Sequence, residues 1–426
     1  MAARSGGVLA RQVGALVALL TTSLVAAWMW RERTSASQLH PPAQGLQKAP
    51  SGSGWFLTTG DTLHVVFTSD GSPYCNYQTL ALYGSFRLAR RLPGGHKMVG
   101  FTRILHRSVD DALSPLLSTF RAQPRYPVCD GGKAVAAKDR VLCKYAVADR
   151  PAAVRQFLEA ARRDPGLIQA PWLYLIETDF LFFKPVAAPG PAEGAARPLG
   201  YHYTYVNAAA KIHTALMQRY YPAGLGPLSD VPHTGPSPVM ARVPEWLRVV
   251  PRWELYTAQI ESDPQAVKSL GWVREMFAFS LACAVERLEL ELHICPASTL
   301  IAQPPVDLRL GNATQFHYTW GPKLIEAGNK TPFWRFEKRE WRAQSFEDNA
   351  PMRPLPPPWR EGWVTPSGRV GPQGAPTTKE DYETILLEVT TFNRGLEEVG
   401  GSAWKYVLGQ EAAAARAEQD QLQGVG

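Results

Sequence analysis

No Cys-x-x-Cys pair occurs in these 426 residues, which removes the usual ligand spacing of a structural zinc site. No G-x-S-x-G elbow occurs, so serine-nucleophile hydrolysis on an α/β-hydrolase frame has no support. Neither a Walker loop nor a G-x-G-x-x-G turn is present, and the phosphate cradles of P-loop and dinucleotide-binding proteins are therefore missing. No internal repeat marks a solenoid or a propeller. The formal net charge is only +7, and the cations nowhere cluster with interleaved aromatics, which excludes nucleic-acid binding as a function class. Anionic lipid or a phosphate-bearing small molecule suffices to account for the excess. Long apolar runs are scarce: one stretch alone is long enough to span a bilayer.

That stretch is Val13 to Trp30, flanked by Arg11, Arg31 and Arg33. It stands at the lower end of the roughly 17–25 residues a membrane helix needs. Trp28 and Trp30 suit the interface. A single-pass anchor is the expectation, with a cleaved signal peptide as the competing reading. The expected layout is a cytosolic tail over 1–12, an anchor over 13–30, a Ser/Pro/Gly-rich flexible stem over 31–60 and a catalytic domain over 61–345. A Pro-rich connector and a C-terminal helical appendage follow over 346–426. This is the layout of a type II Golgi or endoplasmic reticulum membrane protein with a lumenal domain. There the five cysteines form up to two disulfides, and proximity along the chain suggests Cys129–Cys143 and Cys283–Cys295. Asn312-Ala-Thr and Asn329-Lys-Thr are glycosylation sequons.

Within the globular part, Leu63 to Thr68 reads as a buried strand ending in a Ser-Asp-Gly-Ser-Pro turn. Tyr77 to Leu92 has helical spacing, Lys97 to Leu105 reads as a strand, and Pro151 to Arg163 as a helix opened by proline. Trp172 to Ile176 is a second fully apolar strand. Strands alternating with helices predict an α/β fold with a parallel sheet. Ligands of such sheets lie at the carboxyl ends of the strands. Gly235-Pro-Ser-Pro-Val-Met reads as a substrate-facing loop, Gly271 to Val285 as an apolar helix, and Gln315 to Gly321 as a short strand. Pro351 to Pro376 reads as a connector, with Glu380 to Leu396 and Ala403 to Gln423 as helices after it.

The stretch PWLYLIETDFLFFKP, residues 171–185, carries the strongest chemical signal. Glu177 and Asp179 appear at alternate positions between two apolar runs. Charges in such a setting are costly to desolvate unless something pairs with them. At the carboxyl end of a strand in an open α/β sheet that partner is a ligand or a metal, the alternative being a strand end with solvated acids. Mn²⁺ accepts both carboxylate oxygen and imidazole, and His317, among aromatics before a glycine, is the candidate third ligand. Lys323, six residues on, is a candidate for a diphosphate. Thr68, Ser69 and Arg103, at predicted strand ends or adjoining loops, are candidates for holding a nucleotide. Glu275, inside WVREMFAF, is buried, exposed on a polar face, or catalytic. Helical geometry points Arg274 away from it, and an unpaired buried Glu suggests a functional site.

Taken together, HVVFTSDGSPYCNYQ, GFTRILH, YLIETDFLF, YYPAGLGP, GPSPVM, GWVREMFAF, QPP, FHYTWG and WRFEKR occur in an order that resembles the plant and algal hydroxyproline O-arabinosyltransferases. The resemblance runs from about His64 to Arg339. It implies a retaining, metal-dependent Golgi transferase of GT-A-like, Rossmann-type fold. Such an enzyme moves L-arabinofuranose from UDP-L-arabinofuranose to hydroxyproline in secreted peptides or extensin-like proteins. It also implies that Glu177, Asp179 and His317 hold the cation and that Glu275 is the nucleophile or acceptor-orienting base. The family tends to read Glu-Pro-Asp-His where this chain has Glu177-Thr-Asp-Phe180, a change that leaves the metal-binding acids in place. The related peptidyl-serine galactosyltransferases share part of the pattern. A membrane-tethered binder of Pro-rich glycoproteins without catalysis is the reading from another class.

Overall fold

The computed structural model describes residues 59–125, 129–130, 133–134, 136, 143, 145–340, 352–366 and 374–400. The segments expected as anchor and last helix, 13–30 and 403–423, and nearly all of the stem lie outside them. Among the described residues no helix is long and apolar enough to cross a membrane.

In chain order the strands are β1 (Leu63–Ser69), β2 (Met98–His106), β3 (Thr119–Ala122), β4 (Cys129–Asp130), β5 (Lys133–Ala134), β6 (Trp172–Ile176), β7 (Phe180–Phe182) and β8 (Leu199–Tyr201). They continue as β9 (Val239–Arg242), β10 (Glu291–His293), β11 (Ile301–Ala302), β12 (Gln315–His317), β13 (Lys323–Glu326), β14 (Trp334–Arg335), β15 (Trp363–Thr365) and β16 (Ala375–Pro376). The helices used below are α1 (Pro73–Arg90), α2 (Arg150–Arg163), α3 (Thr214–Met217), α4 (Val243–Glu261), α5 (Pro264–Leu270), α6 (Arg274–Val285) and α7 (Lys379–Val399).

The main sheet has the order β10-β8-β9-β6-β1-β2-β3. Strands β1 and β6 are buried at every position, as expected of strands covered on both faces. They pair in parallel, with Phe67 opposite Ile176, so the two chains leave the sheet side by side at Thr68 and Glu177. The expected parallel sheet is in fact mixed, because β9 runs against both β6 and β8. Its Val-Met-Ala core lies in what reads as a loop, since the Gly-Pro-Ser-Pro ahead of it masks four strand residues.

A second sheet, β11-β12-β7, does most to build the site. β7 follows Asp179 at once and runs antiparallel to β12, with Phe180 opposite His317. That register brings a residue far along the chain against the end of β6. A third sheet, β14-β13-β15-β16, draws part of the expected connector into the same compact unit.

Helix α1 starts at Pro73, where Ser72 Oγ accepts from the Cys75 N–H at 3.3 Å. Helix α7 opens with a capping box of Thr378 and Asp381, which satisfies two otherwise unbonded backbone donors. The two helices cross at Gly84 and Gly395, where a Cβ on Gly84 would stand 1.8 Å from the Gly395 carbonyl oxygen. Tyr77 and Phe392 close the contact with ring centroids 5.3 Å apart. On the other side of the main sheet, Trp246 and Trp253 of α4 pack on Phe279 of α6.

Of the two expected disulfides, Cys129–Cys143 is present. Cys283 and Cys295 are not joined. Cys283 faces the core on α6, whereas Cys295 Sγ donates to the Arg309 carbonyl at 3.0 Å. Twelve residues of separation said nothing of direction.

Candidate functional site

The apolar run of β6 ends at Ile176, and the chain then turns through Glu177-Thr178-Asp179 into β7. Glu177, Asp179 and His317 each offer a ligand atom there, all within 4.8 Å of one another. Asp179 and His317 are buried and Glu177 is half-buried. The His317 ring stacks on Phe180, 4.5 Å between centroids and 16° between planes. Its Nε2 meets Thr319 Oγ1 at 2.9 Å and stands 3.4 Å from Asp179 Oδ2. These contacts fix the imidazole against the carboxylate.

Asp179 Oδ2 also accepts from the Lys338 ammonium. Burial alone would raise the Asp179 carboxyl, but Lys338 and His317 hold it well below the usual carboxylate range. Asp179 is therefore anionic at any physiological pH. Its Oδ1 is buried and makes no hydrogen bond, as does His317 Nδ1. A buried acceptor left unmade costs about 1–3 kcal/mol, so Oδ1 is an open coordination position. Two carboxylates and one imidazole with an orphaned oxygen fit a hard divalent cation that tolerates nitrogen, such as Mn²⁺.

Next to this cluster stands a second carboxyl of opposite character. Glu275 lies in the first turn of α6 and is 1 % exposed; neither of its oxygens makes a well-aligned hydrogen bond, the Trp253 indole lending only weak support to the charged form. Burial pushes its pKa up to about 8; Arg150 opposes the shift and the Glu177 charge adds to it. At neutral pH Glu275 is mostly protonated. Arg150 Nη1 donates to Glu177 Oε1 at 2.9 Å. Although burial disfavours its charge, Glu177 and Glu275 hold the guanidinium firmly protonated, so one cation serves two acids. Tyr145 joins the group, its OH accepting from the Glu275 N–H at 3.3 Å. As the helical spacing predicts, Arg274 turns elsewhere and pairs with Glu261.

Thr68 and Ser69 sit buried at the carboxyl end of β1, level with Glu177 by the sheet register. Arg103 is not available to a nucleotide. It is fully buried, and its guanidinium donates to Asp111 at 2.9 Å, to Asn76 at 3.2 Å and to Ser114 at 3.2 Å. It braces the start of α1 against the turn after β2. Lys323, the candidate for a diphosphate, is half exposed and lies 3.6 Å from Glu337; the ammonium at Asp179 is that of Lys338.

Lys338, Arg150 and Tyr145 are the site residues that sequence reasoning missed. Lys338 stands inside the WRFEKR block, which carried the family resemblance but no chemical role. Arg150 opens α2 directly before Pro151 and reads as an ordinary surface cation. Nothing in the local pattern marks Tyr145.

Residues 63–292 match the model of the hydroxyproline O-arabinosyltransferase family N-terminal domain. Hydroxyproline O-arabinosyltransferase NOD3 of Pisum sativum is 30% identical over 323 residues, covering 75% of this chain and 88% of its own. Hydroxyproline O-arabinosyltransferase 3 of Arabidopsis thaliana is 31% identical over 280 residues, covering 65% of this chain and 71% of its own. Among solved structures, the galactosyltransferase LgtC with donor and acceptor sugar analogs covers 70% of this chain and 99% of its own, at 12% identity and a TM-score of 0.33. That last likeness is too weak to carry an argument.

Proposed function

Because the chain belongs to the hydroxyproline O-arabinosyltransferase family and is a glycosyltransferase, we propose that it moves L-arabinofuranose from UDP-L-arabinofuranose to the hydroxyl of hydroxyproline in secreted peptides. The observation that carries this reading is the convergence of Glu177, Asp179 and His317 beside the buried, proton-holding Glu275.

Asp179, Glu177 and His317 would hold the divalent cation, whose Lewis acidity offsets the charge of a departing diphosphate. Thr68 and Ser69, at the end of β1, bind the nucleotide. Lys338, already against Asp179, adds a positive charge at the side where phosphate oxygens gather. Asp179 stays ionised throughout, so it orients and does not exchange protons.

Glu275 takes the acceptor's proton. As the hydroxyl oxygen bonds to the sugar's anomeric carbon, its O–H bond breaks and the proton passes to the ionised fraction of Glu275. The bond to the UDP oxygen breaks with its electron pair. A pKa of about 8 is well matched to this task, since a general base works best near the operating pH. It is poorly matched to nucleophilic attack, which needs a resident carboxylate. Arg150, shared with Glu177, steadies Glu275 while it is charged. With Glu275 as base and not nucleophile, the retention expected of the family would proceed by same-face departure and attack.

The reading includes a Golgi membrane location with the catalytic unit in the lumen. The apolar segment 13–30 and the Cys129–Cys143 disulfide, a bond typical of oxidising compartments, support it. The test incubates purified protein with Mn²⁺, a hydroxyproline-rich peptide and a panel of UDP-sugars, with mass spectrometry of the peptide. One pentose gained from UDP-arabinofuranose alone is the expected result. A hexose on serine or hydroxyproline would transfer the protein to the galactosyltransferase reading.

A further inference from the structure

We infer that Trp272 is the platform on which the acceptor peptide rests, an assignment that deepens the arabinosyltransferase reading and depends on it. Its occupant is a neutral, extended hydroxyproline-containing segment.

Trp272 is 67% exposed, although the large apolar surface of an indole favours burial. An isolated exposed tryptophan on a loose loop would mean little. This one is held from three directions. Its carbonyl accepts from the Tyr145 hydroxyl at 2.7 Å. Its ring meets the Tyr145 ring edge-on, with centroids 5.1 Å apart and planes at 87°. The Arg274 guanidinium lies 3.3 Å from the centre of the Tyr145 ring and donates to the Gly271 carbonyl at 2.7 Å. Arg274 is in turn paired with Glu261, and the Cys129–Cys143 bridge ties down the chain just before Tyr145.

The position matters as much as the exposure. Trp272 lies in the 3-10 turn Gly271–Val273 that opens α6, three residues before Glu275. The hydroxyl of Tyr145 bonds to both ends of that interval, to the Trp272 carbonyl and the Glu275 N–H. One buried phenol therefore clamps the backbone of the exposed aromatic to that of the proton-accepting residue. Tyr205, 45% exposed and near enough to Glu177 for that charge to act on its phenol, is a further exposed aromatic close to the acids.

The chemistry of this surface selects its ligand. Glu275 is largely neutral at the working pH and Arg274 is occupied by Glu261, so the indole does not call for a charged partner. Pyrrolidine rings present C–H groups made electron-poor by the adjoining amide, and these favour the electron-rich face of an indole. Polyproline segments dock on aromatic surfaces in this manner, already ordered before they bind. A rigid platform and a pre-ordered peptide together keep the entropy cost of binding small.

The test compares Trp272→Ala and Trp272→Phe in the full-length protein. Measured are the KM for a hydroxyproline peptide, the KM for the UDP-sugar, and UDP release without peptide. Trp272→Ala is expected to raise the peptide KM about 10-fold, as loss of one aromatic stacking contact does, with the donor KM and peptide-free UDP release within about twofold of wild type. Trp272→Phe is expected to recover most of the loss. An unchanged peptide KM in Trp272→Ala, or an equal rise in the donor KM, overturns the assignment. If Trp272→Ala melts at a lower temperature than wild type, Trp272→Gln carries the same comparison. Should the wild type transfer no pentose, the arabinosyltransferase reading fails separately. The platform is then judged by calorimetric titration of the same peptide into UDP-loaded protein: weakened binding in Trp272→Ala upholds it, and equal binding ends it.

Discussion

Two buried charged clusters stand near the carboxyl ends of β2 and β6, the strands on either side of β1, and they are built on opposite principles. At the end of β2, Arg103 and Asp111 close on each other, and Asn76 and Ser114 take further donors of the guanidinium. At the end of β6, Asp179 keeps an unbonded oxygen and Glu275 keeps two. The first arrangement holds the α1 entrance in shape and asks nothing of a ligand. The second is left open at an energetic cost, because an unmade buried hydrogen bond is unfavourable. In this pair burial and charge are alike, and the count of satisfied atoms is what separates the brace from the open cluster.

The sharpest way to break the comparison is to remove one charged side chain from each cluster. Asp179→Ala should lower transfer about 1000-fold, the loss of several kcal/mol of charge stabilisation, while circular dichroism shows the fold intact. Arg103→Met should do the reverse, costing about 3 kcal/mol in urea unfolding because Asp111 is left buried and unpaired. Its activity should fall only in step with the folded fraction.

Glu275→Gln sharpens the contrast within the open site. Transfer should drop about 100-fold, as when a positioned base is lost. Stability should change with a recognisable pH signature. The folded-state pKa of Glu275, about 8, lies above the ordinary glutamate value of 4.5. Its burial therefore imposes no penalty below about pH 4.5, and a growing one as pH rises toward 8. Melting temperatures followed from pH 5 to 9 should fall more steeply for wild type than for the Gln variant. Asp179, depressed by Lys338 and His317 after burial is overcome, has the opposite slope: its contribution is present above the ordinary carboxylate range and is lost only in strong acid.

The smallest effect concerns Lys338, which crosses the boundary between the two designs by pairing with Asp179 while leaving Oδ1 open. Lys338→Met should tighten Mn²⁺ binding in the absence of nucleotide about 10-fold, since a competing positive charge is gone. Isothermal titration of Mn²⁺ into nucleotide-free protein reads this directly, and an unchanged affinity would show that the ammonium and the cation do not compete.

Much of the open site was legible because its signals are local. Trp172 to Ile176 is a run only a strand can bury, and the acids that end it stand out against apolar neighbours. His317 was readable as a polar residue among aromatics. What sequence could not supply was direction across long separations. Arg103, expected near a strand end, lies three residues inside β2 and points into Asp111, a pairing that depends on how the turn after β2 folds back. Lys338 and Lys323 are equal as residue types, and only the packing of the 338–340 turn decides which reaches Asp179. Strand β9 was hidden by the prolines before it, and Cys283 by the fact that a helix position specifies a face only once its neighbours are known.

The crossing of α1 and α7 at Gly84 and Gly395 has a consequence for the order in which the protein is made. Helix α1 is among the first elements of the catalytic unit to be synthesised, and the surface that covers it is among the last. Such a contact closes a very long loop, which slows folding and leaves apolar surface waiting. Phe392, on that late helix, also packs against Tyr318, the residue after His317. Assembly of the candidate metal centre is thus completed from behind by the C-terminal helix, so a nascent chain carries all the ligands well before it holds them in place.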